Sequence, residues 1–260
     1  MVVWNQALNI DIASYDRIII NTSAGKDSQV MLDEVMIIAA MAGVKPRVLG
    51  VHADLGRMEW KGTKELAQEQ CEHYGVPLRV VSRPQGDLLS QVRQRGMWPS
   101  SKQRYCTSDH KRDQVAKVIR EFKGKILNCM GLRADESPAR AKKIPFQVNH
   151  RLTTRDRLVH DWLPIHDWTL DRVWARIKLT GVRHHPAYDL GMPRLSCVFC
   201  IFASKKALML AGKHNPELLD EYVQVEKDTG HSFRKDFRIA EVKSSLQAGE
   251  ACDSIPDWKM

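Results

Sequence analysis

Residues 17–43 read RIIINTSAGKDSQVMLDEVMIIAAMAG, and the fold is decided here. Arg17 to Ser23 is an apolar, β-branched run closed by small residues, the pattern of a buried strand. Ser28 to Gly43 is long enough for a helix, with Gly43 placed to stop it. The connection between them is Ser23-Ala24-Gly25-Lys26-Asp27-Ser28. Small residues let a backbone bend closely around an anion, and the unpaired N–H groups of the next helix then face that anion. Lys26 adds positive charge. Asp27 is out of place in a pure anion site, and makes sense if it holds Mg²⁺ or orients a water. The other common phosphate loop, GxxxxGK followed by Ser or Thr, does not occur. A capped helix start after a strand accounts for the same residues without a ligand.

The alternation continues outward. Residues 47–54 read as a second strand, 61–75 as a helix, 77–82 as a third strand and 125–131 as a fourth. Residues 109–122 form an amphipathic pattern with Val115, Val118, Ile119 and Phe122 on one face. Strands alternating with helices predict an α/β fold: a parallel twisted sheet, Rossmann-like, with helices on both faces. Ligands of such sheets sit at the carboxyl ends of the strands, at the switch point. Beyond residue 131 the pattern turns polar and basic, with a strand-like stretch at 157–165. Thr169 can cap a helix over 170–181, and Asn215-Pro216-Glu217 is a strong start for a helix running toward Gly230. The simplest division is an α/β core over 1–165 and a helical C-terminal portion over 166–260.

Composition supports a globular chain. Of 260 residues, 43% are hydrophobic and 27% charged, enough apolar surface to bury a core, which excludes a disordered tail. No run approaches the roughly 18 to 20 apolar residues that span a bilayer. The first seventeen residues lack a basic start followed by an apolar stretch, so a cytoplasmic, non-membrane protein is expected. The net charge of +9 invites a polyanionic partner.

Further polar segments follow strand ends. These are His52-Ala53-Asp54-Leu55-Gly56, then Gly131-Leu132-Arg133-Ala134-Asp135-Glu136-Ser137 with Arg140 close behind. Arginines at such a position suit tetrahedral oxyanions, although a solvated charged loop has the same composition. Later come Asp167-Trp168-Thr169, His185-Pro186-Ala187-Tyr188-Asp189-Leu190-Gly191 and Cys197-Val198-Phe199-Cys200.

The loop at 23–28 resembles the SGGxDS signature of the PP-loop ATP pyrophosphatases, the adenine nucleotide alpha hydrolase-like group, with Ala24 in place of the first glycine. That resemblance implies ATP gripped by Ser23, Gly25, Lys26, Asp27 and Ser28, with Asp54, Gly131 and Arg133 also at the nucleotide and Mg²⁺ helped by Asp27. It implies catalytic roles for Asp27, Lys26, Arg133 and Arg140 in transferring AMP to a substrate. Taken in order, all these segments, with Tyr105-Cys106-Thr107-Ser108-Asp109-His110-Lys111, resemble the phosphoadenosine phosphosulfate (PAPS) reductase family over about residues 17–202. Two departures matter. The sulfonucleotide reductases end in an ECGLH-like tail, whereas residues 251–257 read ACDSIPD, leaving Cys252 as an incidental exposed thiol. The reductases usually have a degraded loop, whereas Lys26, Asp27 and Ser28 match the ATP-using branch. Sulfur-inserting enzymes, the DNA phosphorothioation protein and the tRNA thiolation enzymes, are the nearer functional analogues.

Cysteines stand at 71, 106, 129, 197, 200 and 252. The two-residue gap between Cys197 and Cys200 lets two thiolates reach one metal or cluster, or form a redox pair. The resemblance implies that Cys106, Cys197 and Cys200 hold a 4Fe–4S cluster with one iron open to sulfur. Zinc is the alternative, with His110 completing a Cys₃His set. Cys129 is a candidate fourth ligand, or else a small side chain buried in the sheet, the reading preferred here. Cys71, at helical spacing from Ala67 and Tyr74, reads as core.

Residues 101–125 carry eight Lys/Arg against three acids, and residues 131–160 carry seven against three. This basic surplus is expected at the rim of the active site, where it would hold a nucleic-acid backbone, with Trp98 and Tyr105 either stacking on bases or packing in the core. The expected activity is adenylation of a substrate, DNA or tRNA, with pyrophosphate release and sulfur insertion. It would need a sulfur donor such as a cysteine desulfurase, and a homo-oligomer stays open. Two alternatives remain: a sulfonucleotide reductase of sulfate assimilation, and a nucleotide-binding accessory subunit without chemistry.

Overall fold

A computed structural model describes residues 10–252 and Ile255. Its centre is a six-stranded sheet of β1 (Arg17–Thr22), β2 (Val48–Ala53), β3 (Leu78–Val81), β4 (Gly124–Met130), β5 (Phe146–Val148) and β6 (Arg157–Trp162). The strand order is β3-β2-β1-β4-β6-β5. β1 pairs in parallel with β2 and β4, and β4 with β6. β5 adds an antiparallel edge to β6, the one departure from the all-parallel expectation among the pairings described. The order turns back between β1 and β4, which makes their carboxyl ends the switch point.

The helices are α1 (Lys26–Met41), α2 (Thr63–His73), α3 (Leu88–Arg95), α4 (Tyr105–Thr107), α5 (Asp113–Arg120), α6 (Pro138–Ala141), α7 (Leu170–Thr180), α8 (Lys205–His214), α9 (Pro216–Thr229) and α10 (Ile239–Gln247). α1 starts two residues before the predicted Ser28, because extended Gly25 takes the cap position. α9 ends as the sequence predicts, on left-handed Gly230. The amphipathic stretch 109–122 is not one regular helix. A turn of π-helix, Ser108–Arg112, precedes α5. Such turns arise where the i→i−4 ladder is interrupted, and amphipathic periodicity does not register them.

The chain forms two compact units whose segments alternate along the sequence. One comprises the residues up to 52, 65–80 and 115–183, the other 53–64, 81–114 and 184 onward. The expected single cut at 165 and this division differ for a plain reason. α7 packs on α1, within the sheet unit, while α3 packs on α9. In the first unit Ile18, Ile20, Leu127 and Cys129 meet Val30, Met31 and Val35 of α1 and Val173 and Ile177 of α7. In the second, Trp98, Phe199, Tyr222 and Phe233 form an aromatic centre under α8 to α10.

Candidate functional site

The loop 23–28 leaves β1 at the switch point. Ala24 has φ +55°, the only non-glycine in the left-handed region among the described residues, at the place where the SGGxDS pattern has glycine. That conformation turns the chain so that Ser23 and Ser28 face one another. Ser28 Oγ accepts from Ser23 N at 3.1 Å and donates to the Gly25 carbonyl at 2.9 Å. No side chain caps the N-terminus of α1, a helix of sixteen residues. A helix start of this kind presents backbone N–H groups of the type that bind an anion. Lys26, only 3% exposed, lies with Nζ 3.2 Å from an Asp27 oxygen.

Arg133 follows β4 and is 2% exposed. Its Nε donates to the other Asp27 oxygen at 2.6 Å, and Nη1 to Asp135 and the Trp168 carbonyl, each at 3.1 Å. Burial alone would lower the Arg133 pKa, but the Asp27 charge and hydrogen bond outweigh it and hold it above the usual value. Arg140 pairs with Glu136, which also accepts from Arg133 N at 2.9 Å. Gly131 has a steric role. A Cβ there would sit 2.9 Å from the Asp27 carbonyl oxygen and 3.0 Å from Ser28 N, so only glycine lets β4 pass beneath the loop. Ser23, Gly25, Lys26, Asp27, Ser28, Gly131, Arg133 and Arg140 therefore all gather in the sheet unit. Asp54 belongs to the second unit. There it accepts from Gly56 N at 2.7 Å and lies 3.7 Å from Lys64, a turn that closes on itself.

Part of the expected basic rim lies elsewhere, while Lys142 and Lys143 stay exposed just after α6, beyond the carboxyl end of β4. Arg133 and Arg140 are at the carboxyl ends of the strands, but both are paired with acids. Arg120, Lys123, Lys125, Arg155 and Arg157 lie instead where β4 and β6 begin, at the amino end of the sheet. Linear clustering of charge ignored the direction of the strands. Trp98 and Tyr105 are also unavailable to bases. Trp98 is 2% exposed and stacks on Tyr222 at 5.2 Å, and the buried Tyr105 hydroxyl donates to the Met97 carbonyl at 2.6 Å.

The second unit assembles the thiols. Cys106 lies on the single turn α4, and Cys197 and Cys200 on the turn before α8, all half-buried beside the aromatic centre. Burial pushes the Cys197 thiol up to about 12 against the opposing pull of Lys111. It also raises Cys200, despite a hydrogen bond from the Phe202 backbone. Burial works against the Lys111 ammonium, yet Cys197, Glu59, Cys200 and Cys106 outweigh it and leave its pKa above the usual lysine value. Lys111, which the π-helical turn carries, and Glu59 were missed as site residues. The sequence signal for Lys111 was its place at the end of the Cys106 motif. Glu59 had no signal.

Among the described residues the three sulfurs belong to no group whose ligand atoms all lie within 4.8 Å of one another. Tetrahedral zinc, with Zn–S near 2.3 Å, needs sulfurs about 3.8 Å apart. His110 is 3% exposed with Nε2 2.7 Å from Gln91 Oε1. Cys129 lies inside the sheet of the other unit, between Ile20 and Trp162, and burial drives its thiol pKa far up. Cys71 is core, as expected. Cys252 is not the exposed thiol expected. It is 5% exposed and packs with the C-terminal helices, while residues 253–254 and 256–257 of that tail lie outside the described residues, as do 1–9.

The sequence pattern of the phosphoadenosine phosphosulfate reductase domain matches residues 17–203. The chain belongs to the PAPS reductase family. Among relatives, an uncharacterised 37.8 kDa protein of Escherichia phage 186 is 29% identical over 164 residues, 62% of this chain and 48% of that protein. Adenosine 5'-phosphosulfate reductase 2 of Bacillus subtilis is 26% identical over 192 residues, 73% of this chain and 74% of that one. The chain spans about half the length of the first curated relatives it matches. Among solved structures, phosphoadenylyl-sulfate reductase from Candida auris superposes with a TM-score of 0.50 at 16% identity. It covers 72% of this chain and 84% of that one, a likeness of fold. Among the described residues no helix is long and apolar enough to cross a membrane.

Proposed function

We propose that this PAPS reductase family member is an ATP-using enzyme that adenylates an acceptor, a nucleic acid, and prepares it for sulfur insertion. One observation carries the reading: the uncapped start of α1 beneath a left-handed Ala24, with Lys26 and Asp27 held in place beside it. The N–H groups of that turn, with Ser23, Gly25 and Ser28, would receive the pyrophosphate part of ATP. Lys26 would offset its charge. Asp27 presents a carboxylate suited to Mg²⁺, an oxygen-seeking ion that keeps few protein ligands. Arg133 holds that carboxylate in one orientation, and Arg140 stands behind it through Glu136. An acceptor oxygen would attack the α-phosphorus as the bond to pyrophosphate breaks, and its proton would leave to solvent. Sulfur at the sulfide level, reached from a donor persulfide with two electrons from a thiol reductant, would then attack the adenylated centre, and the former acceptor oxygen would leave with AMP.

For the second step the thiols of Cys106, Cys197 and Cys200 fit a cluster better than zinc. His110, the fourth ligand that a Cys₃His zinc site would need, has a ring nitrogen committed to Gln91. Burial raises Cys197 and Cys200, and Lys111 beside both, with Arg104 beside Cys200, works against that rise. A 4Fe–4S cluster held there would supply an iron able to carry the sulfur from a donor such as a cysteine desulfurase.

The test is ATP–pyrophosphate exchange with DNA, tRNA and small acceptors, together with iron and sulfide analysis of protein purified without oxygen. Exchange with bound iron and sulfide is expected. Sulfite release from an adenylylated sulfate, without exchange, would establish instead the reductase reading that the Bacillus subtilis relative favours. Neither product would leave a binding subunit.

A further inference from the structure

The phosphate loop is electrically balanced, so the chain's surplus charge must lie elsewhere. In the sheet unit one concentration of it lies at the amino end of the strands, apart from Lys142 and Lys143 after α6. The turn 151–156 leads into β6 and folds against the turn between α5 and β4. Gly124 N donates to the Asp156 carbonyl at 2.9 Å, and Thr154 bridges Arg157. Arg157 locks the two turns together. Its Nε donates to the Leu152 carbonyl at 2.8 Å and its Nη1 to the Arg120 carbonyl at 3.2 Å. Behind them Arg17 stacks on Phe122 at 4.8 Å, and Lys125 Nζ donates to Ser14 Oγ at 2.7 Å.

This frame presents Arg120, Lys123, Arg151 and Arg155, all exposed. Among the described residues Arg120, Lys123 and Arg155 have no carboxylate partner, and the nearby Glu121 is engaged by Arg79. Asp156 is the one acid on the same two turns that is left to oppose them. Exposed cations left unpaired on a fixed backbone are poor devices for stability but good ones for a phosphodiester chain, whose binding is driven by counterion release. β1 has six residues, so this surface is about 20 Å from the phosphate loop at roughly 3.3 Å per residue.

We propose that the turns carrying Arg120, Lys123 and Arg155 form a sequence-independent docking surface for a nucleic-acid backbone, separate from the adenylation loop. The proposal rests on the nucleic-acid reading of the acceptor and specifies how that acceptor is held. Phosphates bound here would anchor the strand, and the reacting nucleotide would lie some six base pairs away at about 3.4 Å per pair.

The experiment measures binding of a fluorescent 20-base-pair DNA and of a fluorescent RNA hairpin across a KCl series. It uses the full chain and the combined variant Arg120→Glu, Lys123→Glu, Arg155→Glu. A control reverses three exposed lysines elsewhere: Lys178→Glu, Lys205→Glu, Lys206→Glu. The docking variant should bind at least tenfold more weakly, and the slope of log affinity against log salt should fall by two to three, at about 0.9 for each phosphate no longer neutralised. ATP binding and the melting curve should not change, and the control should bind nearly as the wild type does. Equal weakening in the control, an unchanged slope in the docking variant, or no binding by the wild type would each overturn the surface. The acceptor reading is separable. If the docking variant loses binding while wild-type protein never transfers AMP to nucleic acid, the surface stands and the acceptor is something else. If both proteins bind alike and AMP is transferred, the acceptor reading stands and the surface falls.

Discussion

Around the phosphate loop, Lys26 and Arg133 share the two oxygens of Asp27, and Arg140 is paired with Glu136. Around the thiols of the second unit burial raises Cys197 and Cys200 toward their neutral forms, and Lys111 stays a cation. One region is a polar frame complete before anything binds. The other is a set of protons waiting to be displaced. The two should therefore fail separately. Cys197→Ala should abolish iron and sulfide binding while ATP–pyrophosphate exchange stays within a few-fold of wild type. Asp27→Asn should lower exchange by roughly 10²-fold or more, as loss of a charged group at a phosphoryl site does, and leave iron content intact. Loss of exchange in Cys197→Ala would mean that the thiols serve the first step too, and the contrast would collapse.

The sequence announced the first region and hid most of the second. Residues 23–28 lie in one turn between a strand and a helix, so a local pattern contains nearly all their geometry. What it omitted was non-local: Arg133 reaches Asp27 across 106 residues, and Gly131 matters because β4 runs beneath the loop. The thiol region is non-local throughout. It draws Glu59, Cys106, Lys111, Cys197 and Cys200 from three separate stretches of chain, and a π-helical turn carries Lys111. Part of the basic surplus was misplaced for the same reason. Arg155 and Arg133 are close in sequence, but a parallel strand starts near one and ends near the other.

Gly131 tests how rigid the frame is. Gly131→Ala would force a methyl to 2.9 Å from the Asp27 carbonyl, and overpacking of this kind costs about 1–3 kcal/mol. A lowered melting temperature and reduced exchange are expected, with iron content unchanged. A neutral result would mean that the loop moves freely and is not preformed.

The regions should also differ in pH response. Cys197, pushed up to about 12, keeps its proton at neutral pH and must release it to bind metal. Loading should strengthen as pH rises, by up to about tenfold per pH unit for each thiol released below its pKa. Titration with Fe²⁺ at pH 7 and pH 8 measures this, while ATP affinity should barely change over that interval. The stability sign is opposite. A thiol pKa raised on folding favours the native state below about pH 9, and that contribution is lost as pH climbs toward 12. The metal-free protein should thus melt at progressively lower temperature above pH 9. A flat profile would place Cys197 in water.

The smallest effect is expected at Ala24, where the frame is under strain. A left-handed alanine costs about 1–2 kcal/mol, and glycine would remove that cost. Glycine also enlarges the freedom of the unfolded chain, worth about 0.4–1 kcal/mol, and loses a fully buried methyl worth about 0.8 kcal/mol. These effects nearly cancel, so Ala24→Gly should shift stability by less than about 1 kcal/mol, measured by denaturant unfolding. The same cancellation explains how alanine can stand where the family pattern has glycine. Ala24→Val has no such compensation, because a β-branched side chain tolerates positive φ poorly, and it should destabilise the protein more than the glycine variant does. Should glycine instead cost well over 1 kcal/mol, the buried methyl would be holding the loop in place, and the polar frame of Asp27, Lys26 and Arg133 would be its consequence.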